Sequence, residues 1–433
     1  MCVTIIIPVH NSEKYLKQCI ESALNQTFQD IEILCIDGGS TDASFKIINE
    51  LRNKDRRIQY LYDTNTGYGH KINVGIENAK GRYFSILESD DLMSPHMIEK
   101  LYEIAEREEA DVVDSDYYSL FSCKGKNYLD VQKKYSDLDY NYLLKGNDEI
   151  LKKVVYKSIW TGLYKRDFIV GNEIRLNESK GASYQDSSFI FLVNILAQSF
   201  YHLDIPLYQY RVDNEGSSVK DDKKIFEIVG EYEFLKENMK KRGIIDREKW
   251  TLFYKRKYES FYWNYERLSF EAREQFLDKY LEELHKDIKG GGVNRELFTG
   301  EVYNCTFQLI DDEAAFVKRA EMYGMQPSML NLMEDLEDAK DGEVVMFGAG
   351  VWGSRVMDVL MQGSRKLCAV CDNSESLQGT EKKGFPIISV EEAVKVYSDA
   401  IYVIVNRHHS NEMKQQLLKE KIPDRNIKIL EWR

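Results

Sequence analysis

The chain has no apolar run long enough to cross a membrane, no basic leader ahead of its first predicted strand and no excess of positive charge. The first absence disfavours an integral membrane protein, because a spanning helix needs about 20 mostly apolar residues. The second predicts that no signal peptide is present. The third, a formal net charge of −13, disfavours a nucleic-acid backbone as the main partner.

The chain also lacks a regular set of paired cysteines. Its seven cysteines are scattered and odd in number, which is typical of a reducing compartment. We therefore expect a protein of the cytoplasm or of the inner face of the membrane. Cys368 and Cys371 form a C-x-x-C, but they lie in a predicted strand, where residues three apart point to opposite faces. We interpret them as core thiols, because a redox pair usually sits at a helix start.

An acidic cluster, Glu88-Ser89-Asp90-Asp91, directly follows the apolar run 83–87, which predicts a buried strand. Carboxylates at the exit of a buried strand are costly unless a cation meets them. The short spacing lets two of them converge on one hard divalent cation, which prefers oxygen ligands and takes others from water or substrate phosphates. The alternative is a helix cap, with Asp90 or Asp91 ahead of a helix from Pro95.

Strands alternate with helices in the N-terminal third, and the predicted strands cover residues 3–9, 31–36, 57–62 and 83–87. The alternation predicts an α/β fold with a mostly parallel, twisted sheet. A polar cluster follows each strand, at residues 10–11, 37–42, 65–69 and 88–91. Ligands of such sheets bind beyond the carboxyl ends of the strands, so we expect a ligand site at this edge.

Three motifs follow one another along the N-terminal part of the chain: T-I-I-I-P-V-H-N at 4–11, I-D-G-G-S-T-D at 36–42 and L-E-S-D-D at 87–91. In these motifs the first half of the chain resembles family 2 glycosyltransferases with the GT-A fold. The resemblance implies transfer of a sugar from a nucleotide-diphosphate donor with inversion at the anomeric carbon. It also implies Mn²⁺ or Mg²⁺ as cofactor.

The same resemblance implies roles for individual residues. Asp90 would ligate the cation, Glu88 would face the ribose or the cation, and Asp37 would accept a hydrogen bond from the base, which we expect to be uracil. The other residues that it implies around the nucleotide sugar are Pro8, His10, Asn11, Glu13, Gly67, Lys71, Asn73 and Ser89.

Several positions depart from the commoner pattern of the family. Gly38 stands where a second Asp is frequent, and Glu88 replaces the usual first Asp of the metal motif. Ile72 occupies a position that often carries Arg. Either Lys71 supplies the missing charge, or that contact with the donor is absent.

The segment 182–189 resembles the family's catalytic Glu-Asp motif, with Gln185 in place of Glu. Asp186 is then the candidate general base. Inversion requires an acceptor hydroxyl to attack from the face opposite the diphosphate, and a carboxylate within hydrogen-bond reach removes its proton. Asp suits this role because it is ionised near neutrality. On spacing alone, Asp186 could instead interact with the dipole at the start of its helix.

The segment 210–218 resembles the family's loop after the catalytic motif. Arg211 and Ser217 would hold phosphate or close the site. The alternative for Arg211 is a surface ion pair with Asp213 or Glu215.

Two groups of aromatic residues allow two interpretations each. Trp160 is predicted either to stack on a sugar ring or to lie in the core. The aromatic-rich stretch 252–265 lies in a region of helical periodicity, where packing between helices is one use. Peripheral contact with a membrane, near a lipid-linked acceptor, is the other.

A glycine pattern marks the C-terminal region. A predicted strand at 344–347 leads into G-A-G-V-W-G at 348–353, and Asp372 follows the next predicted strand. G-x-G-x-x-G between a strand and a helix is typical of dinucleotide binding, so NAD or a similar nucleotide is the expected ligand. The residues of this possible second nucleotide site are Gly348, Gly350, Gly353 and Asp372. The alternative is a fold retained for packing or dimerisation.

These patterns predict a GT-A catalytic domain at 1–218, a helical region at 219–338 and a small Rossmann-like α/β domain at 339–433, with a homo-oligomer as one option. The predicted function is inverting transfer of a hexosyl-type sugar to a hydroxyl of a glycan or lipid-linked acceptor, in surface polysaccharide synthesis. A sugar-nucleotide modifying oxidoreductase and a non-catalytic sugar-nucleotide-binding scaffold stay open as alternatives. The sequence does not identify the sugar, the acceptor or the linkage.

Overall fold

The chain divides into two compact units. A computed structural model describes residues 1–134, 141–153, 158–179, 183–214, 216, 224–295, 301–323, 328–338, 342–363 and 365–432. The first unit consists of Met1–Tyr118 and Gln132–Gly324, and the second of Ser119–Val131 and Met325–Arg433. Residues 219–324 of the predicted helical region thus belong to the same unit as the N-terminal sheet, and residues 325–338 belong to the second unit. The predicted three-domain division stays a prediction.

The first unit is built on a sheet of ten strands in the order β3-β2-β1-β4-β9-β6-β10-β5, with β7 on β6 and β8 on β10. The strands are β1 (Val3–Val9), β2 (Ile31–Asp37), β3 (Ile58–Tyr62), β4 (Tyr83–Ile86), β5 (Leu92–Met93), β6 (Val112–Cys123), β7 (Lys126–Gln132), β8 (Leu143–Lys145), β9 (Gly162–Lys165) and β10 (Ser199–Arg211). Strands β1 to β4 pair in parallel, as predicted, but β9 runs antiparallel to both β4 and β6. The sheet as a whole is therefore mixed.

Helices cover both faces of this sheet. They are α1 (Leu16–Leu24), α2 (Ser44–Arg52), α3 (Tyr68–Asn78), α4 (Met97–Glu108), α5 (Asn147–Lys153), α6 (Arg166–Gly171) and α7 (Gln185–Leu196). Strand β1 is buried throughout. Its alternation places Ile5 and Ile7 in a core with α1 and α4, and Ile6 in a second core with α3 and α7.

The helical region consists of α8 (Glu227–Lys241), α9 (Arg247–Arg267), α10 (Phe270–Lys289), α11 (Glu301–Asp311) and α12 (Glu313–Tyr323). Its buried aromatics, Phe253, Tyr258, Phe261 and Tyr265, join the core on the α3 and α7 side of the sheet. Packing between helices therefore accounts for these rings. Trp263 is an exception, with 45% of its surface exposed. Among the helices of the described ranges, none combines the length and the apolar composition that a membrane crossing requires.

The second unit has a six-stranded sheet in the order β13-β14-β12-β11-β15-β16. The strands are β11 (Val344–Phe347), β12 (Leu367–Cys371), β13 (Glu381–Lys382), β14 (Phe385–Ile388), β15 (Ile401–Ile404) and β16 (Ile427–Ile429), and the helices are α13 (Met329–Asp338), α14 (Val351–Gln362), α15 (Val390–Val396) and α16 (Ser410–Lys419). Only the short β13 is antiparallel to its neighbour among the pairs that the structure describes.

The β6–β7 hairpin contributes its tip to this second unit. Phe121 and Tyr128 stack with ring centroids 5.4 Å apart and lie in its core. Asp130 forms an ion pair with Arg355 of α14. The six cysteines that the structure describes are free thiols. Cys371 is buried, which agrees with the interpretation as a core thiol, whereas Cys368 is partly exposed.

Candidate functional site

The loops that follow β1 and β2 are joined by hydrogen bonds. The ring of His10 bonds the Gly38 carbonyl through Nδ1, at 2.9 Å. Asn11 adopts a positive φ of 50° and accepts the Thr41 N–H at 2.8 Å. Glu13 accepts the Ala43 N–H at 2.8 Å. These three predicted nucleotide-border residues therefore lie together, at the carboxyl ends of neighbouring strands.

Asp37 ends β2 with only 1% of its surface exposed. One carboxylate oxygen accepts the Ser40 N–H at 2.9 Å, and the other accepts the Tyr60 hydroxyl at 3.1 Å. Pro8 is buried in β1, next to Ile36 of β2. The fold thus fixes the orientation of the Asp37 carboxylate before any ligand arrives, which reduces the entropy lost on binding.

Lys71 lies against Gly38. A Cβ atom on Gly38 would be 2.9 Å from Lys71 Cδ and 3.1 Å from its Nζ, so the missing side chain makes room for the lysine. Lys71 Nζ donates to the Thr66 carbonyl at 2.6 Å. Burial lowers the pKa of Lys71 to about 8, against the opposing effect of the charges of Glu88 and Asp37. Ile72 is fully buried in the core, and whether Lys71 supplies the charge or the donor contact is absent stays open.

Asn73 and Gly67 serve the structure of α3. The Asn73 side chain donates to the Leu176 carbonyl at 3.0 Å and accepts the Leu176 N–H at 3.0 Å. It also donates to Glu178 at 2.9 Å. Gly67 precedes α3 and donates its N–H to Asn65. Asn73 therefore holds the segment 176–178, and its amide is already engaged by protein groups.

Glu88 follows β4 and faces the start of α3. Its Oε1 accepts the Tyr68 hydroxyl at 2.5 Å, and its backbone N–H donates to the Tyr208 hydroxyl at 3.0 Å. Burial raises the pKa of Glu88 to about 8, and the negative charges of Asp90 and Asp186 add to that effect. The carboxylates of the motif and the candidate base thus belong to one electrostatic cluster.

The other residues of the acidic cluster have separate partners. Ser89 Oγ and Ser12 Oγ are 2.7 Å apart, which links the loops after β4 and β1. Asp90 Oδ2 accepts the Asn214 amide at 2.7 Å. The residue preceding α4 is His96, so the alternative interpretation of Asp90 or Asp91 as the cap of this helix was wrong.

Asp91 is fully buried and joins the motif to β10. It accepts the Tyr208 hydroxyl at 2.8 Å and the Arg211 N–H at 2.7 Å. Burial raises its pKa well above the ordinary value, with Asp90 adding to the effect. Asp91 therefore fixes the acidic motif to strand β10.

Arg211 is buried, with 3% of its surface exposed. Its Nε donates to the Asp90 carbonyl at 3.0 Å, and its guanidinium pairs with Asp213 at 3.1 Å. The Tyr15 ring lies 4.4 Å from the guanidinium. The predicted ion pair with Asp213 is present, but it is buried beside the acidic motif instead of lying on the surface. Ser217 lies outside the described residues.

Asp186 is the second residue of α7 and is half-buried. Burial raises its pKa to about 6, while hydrogen bonds from backbone N–H groups oppose the shift. Its charge contributes to the raised pKa of both Glu88 and Tyr68. The preceding Gln185 donates to Ser179 Oγ at 3.0 Å, and the Ser179 carbonyl would lie 3.1 Å from a Cβ on Gly67, next to Tyr68. These contacts place the start of α7 beside the turn that leads into α3.

Two carboxylates of the motif are available to a cation. Within the described part of the chain, no group of three or more His, Cys, Asp and Glu side chains is arranged to hold a metal ion. Glu88 and Asp90 nevertheless fit a hard divalent cation by the chemistry of their oxygens, since such an ion commonly takes one or two carboxylates and completes its shell with water and substrate phosphates.

Trp160 belongs to an aromatic cluster beside the acidic motif. It stacks on Tyr208 with centroids 4.5 Å apart and on Tyr210 at 5.0 Å, and it meets Tyr117 edge-on at 4.9 Å. Trp160, Tyr210 and Tyr117 are each partly exposed. Both predicted uses of Trp160 are therefore compatible with its position.

Tyr68 and Glu231 are residues of the site that the sequence patterns did not single out. Tyr68 stands in the turn 65–69, and that position was the only signal for it. Glu231 on α8 is 2% exposed and accepts the Ser188 N–H of α7 at 3.0 Å. Nothing in the periodicity of α8 distinguishes it from a solvated glutamate, so only the tertiary structure identifies it.

The glycine pattern of the second unit forms a tight turn. Gly348 has φ 117°, and a Cβ there would lie 2.5 Å from the Val405 carbonyl oxygen. A Cβ on Gly353 would lie 2.7 Å from the Gly348 carbonyl oxygen. Gly350 precedes α14. Asp372 accepts the Ala349 N–H at 2.6 Å, so one of the N–H groups that the turn offers is used within the chain. The nucleotide site at this turn stays a prediction.

Comparisons with known proteins agree with the N-terminal motifs. The family model "Glycosyl transferase family 2" matches residues 4–169, and the model "C2185-like, N-terminal" matches residues 340–428. A crystal structure of TarS from S. aureus in complex with UDP has 17% identity and a TM-score of 0.48, over 75% of this chain and 94% of that one.

Two relatives each match about half of the chain. EpsH of Bacillus subtilis is 31% identical over 245 residues, which are 55% of this chain and 70% of EpsH. Glycosyltransferase GlyG of Streptococcus pneumoniae is 30% identical over 228 residues, which are 48% of this chain and 70% of GlyG. The predicted GT-A type α/β fold class is confirmed. With its motifs, its sheet and these matches, the chain belongs to glycosyl transferase family 2.

Proposed function

We propose that the chain is an inverting glycosyltransferase that moves a sugar from a nucleotide-diphosphate donor to a hydroxyl of a glycan or lipid-linked acceptor. The observation that carries this proposal is a chain of contacts from the start of α7 to the acidic motif. Gln185, next to Asp186, donates to Ser179 Oγ at 3.0 Å, the Ser179 carbonyl would lie 3.1 Å from a Cβ on Gly67, and the Tyr68 hydroxyl binds Glu88 at 2.5 Å. These contacts join a candidate base to a candidate diphosphate site, and single-step inversion requires both groups at one sugar.

The proposed step is a single displacement. The acceptor oxygen forms a bond to the anomeric carbon as the bond to the diphosphate breaks, and Asp186 takes the acceptor proton. A pKa of about 6 suits this role, because the carboxylate is still largely ionised at neutral pH yet is a stronger base than an exposed Asp. The electron pair of the broken bond leaves with the diphosphate.

Glu88 and Asp90 would hold Mn²⁺ or Mg²⁺, and such an ion would supply positive charge for the leaving diphosphate. Lys71 and Arg211 are two cationic side chains near the motif. Both are buried, so their charges are screened little by salt. The charges of Glu88 and Asp37 act on Lys71, which supports a role for Lys71 in holding the donor.

The donor base is proposed to be uracil, since Asp37 has an oriented carboxylate at the end of β2 and the family resemblance implies that contact. Surface polysaccharide synthesis is the proposed process, and a cytoplasmic location with access to a membrane-bound acceptor fits it. NAD binding, a membrane contact and a homo-oligomer have no supporting observation among the described residues and stay predictions.

The test compares the protein with Asp186→Asn and Asp90→Asn in a panel of sugar nucleotides with Mn²⁺. We expect Asp186→Asn to lower the rate of transfer or donor hydrolysis at least about 100-fold with UDP affinity within twofold. Asp90→Asn should weaken UDP binding in Mn²⁺ but not in its absence. Unchanged turnover in Asp186→Asn would overturn the assigned base, and a metal-independent wild type would overturn the cation site.

A further inference from the structure

Glu231 is a buried carboxylate that the proposed reaction does not use directly. It lies on α8 with 2% of its surface exposed. A buried carboxylate is costly unless hydrogen bonds compensate it. Glu231 has two such bonds, from the Ser188 N–H at 3.0 Å and from the Asn177 side-chain amide at 2.9 Å. These two donors come from different parts of the site.

The Asn177 side of Glu231 leads to the donor half of the site. A Cβ on Gly69 would lie 2.0 Å from the Asn177 carbonyl oxygen, so the backbone at Asn177 packs directly on α3. Asn73 of α3 bonds both polar backbone groups of the adjoining Leu176. The first residue of α3 is Tyr68, whose hydroxyl binds Glu88. The segment 176–178 is therefore fixed to the helix that contacts the acidic motif.

The Ser188 side leads to the base. Ser188 lies two residues after Asp186 in α7. The Tyr184 carbonyl ahead of the helix accepts the Ser187 N–H, while the Ser188 N–H donates to Glu231. Glu231 thus caps α7 from a neighbouring helix. Burial raises the pKa of Glu231 to about 7, and the negative charge of Asp186 contributes to that shift. The carboxylates of Glu231 and Asp186 therefore interact electrostatically.

The start of α7 needs an external support. Tyr184, which precedes the helix, has a positive φ of 67°, a conformation that is costly for a residue with a side chain. Its hydroxyl bonds Asn264 and Arg267 of α9. The position of Asp186 is consequently determined by contacts from α8 and α9, more than by the local sequence.

We propose that Glu231 is a positioning residue for Asp186, because it joins the start of α7 to segment 176–178 and thereby to helix α3 on the donor side. This inference rests on the proposed function. The helical region is then part of the catalytic apparatus, since it sets the distance between the base and the donor.

The test measures kcat and donor KM for Glu231→Ala, Glu231→Gln and Asn177→Ala, using UDP release from the best donor of the panel, together with UDP affinity in Mn²⁺. We expect Glu231→Ala to lower kcat about 100-fold, since small misplacements of a reacting group have effects of that size. Donor KM and UDP affinity should stay within twofold. Glu231→Gln should lower kcat only about tenfold, because its amide oxygen still accepts the Ser188 N–H while its NH2 group cannot accept from Asn177.

Glu283→Ala is the matched control. Glu283 is a buried glutamate of the same helical region, and it pairs with Lys257 at 2.7 Å. Its removal should lower stability but leave kcat within twofold. If Glu231→Ala does not fold, Asn177→Ala tests the inference instead, because Asn177 is only half-buried and its replacement is easier to tolerate. We expect Asn177→Ala to lower kcat about tenfold.

Two results would overturn the inference: an unchanged kcat in Glu231→Ala or Asn177→Ala, or an equal loss in Glu283→Ala. These outcomes differ from failure of the proposed function. If Asp186→Asn is inactive while Glu231→Ala is normal, only the positioning role is refuted. If Asp186→Asn is active, the assignment of Asp186 as the base is refuted, and the positioning role of Glu231 falls with it.

Discussion

The raised pKa of Asp186 has a measurable consequence for rate. With a pKa of about 6, roughly nine-tenths of the carboxylate is ionised at pH 7 and roughly one-tenth at pH 5. We therefore expect kcat/KM, which reports the ionisation of the free enzyme, to fall about tenfold from pH 7 to pH 5. An Asp with an ordinary pKa near 3.9 would stay almost fully ionised at pH 5. A kcat/KM that is flat between these pH values would refute the assigned base.

The same shift has a consequence for stability. The folded-state pKa of Asp186 lies above its unfolded value, so the protonated group favours folding, and this contribution is lost as the pH rises through about 6. Because one pKa unit corresponds to about 1.4 kcal/mol, the ionised carboxylate costs at most about 3 kcal/mol of folding free energy at pH 8. Asp186→Asn should remove that cost while abolishing activity.

The assay is urea denaturation of the wild type and Asp186→Asn at pH 8 and pH 4. We expect Asp186→Asn to be the more stable protein at pH 8 and the difference to vanish at pH 4. Asp148→Asn is the control, since Asp148 is an exposed carboxylate at the second position of α5. Its loss should lower stability slightly at pH 8, through the helix dipole. Equal changes in stability for the two substitutions at pH 8 would show that burial of the Asp186 carboxylate does not destabilise the protein.

Three further substitutions test the surroundings of the site. In Gly38→Asp, the new Cβ would lie 2.9 Å from Lys71 Cδ. We therefore expect the free energy of unfolding to fall by about 1–3 kcal/mol and UDP binding to weaken. Normal UDP affinity would contradict the proposed role of Lys71 in holding the donor. Asp91→Ala should lower the free energy of unfolding by about 2 kcal/mol or more, since the Arg211 N–H and Tyr208 hydroxyl lose their acceptor, whereas Asp91→Asn should lose less. Asn73→Ala should lower the free energy of unfolding by about 1–3 kcal/mol, because the Leu176 backbone groups lose their partner, and unchanged stability in urea denaturation would contradict this. UDP affinity of the same variant in titration calorimetry tests the predicted donor contact separately.

The N-terminal edge of the site could be predicted from the sequence because its signals are local. Strands β1 to β4 are apolar runs, and polar turn residues follow each of them. In a parallel sheet those turns meet at one edge. His10, Asp37 and Glu88 lie at that edge, as the hydrogen bonds between their loops show.

The supporting residues could not be predicted, because their roles depend on contacts between distant segments. Glu231 lies 43 residues after Ser188 in sequence, and its helix shows the ordinary pattern of an amphipathic surface. The donor contact of Asn73 stays a prediction, but its hydrogen bond to Leu176, 103 residues away, had no signal in the sequence. The tip of the β6–β7 hairpin belongs to the second unit, which no composition shift in the sequence indicated.

The most direct test of the account is the configuration of the product. Proton NMR of the glycoside formed from an α-linked donor would give the coupling constant at the new anomeric centre. Single displacement with Asp186 as base predicts a β-linked product. An α-linked product would require a different reaction course and would contradict the role given to Asp186.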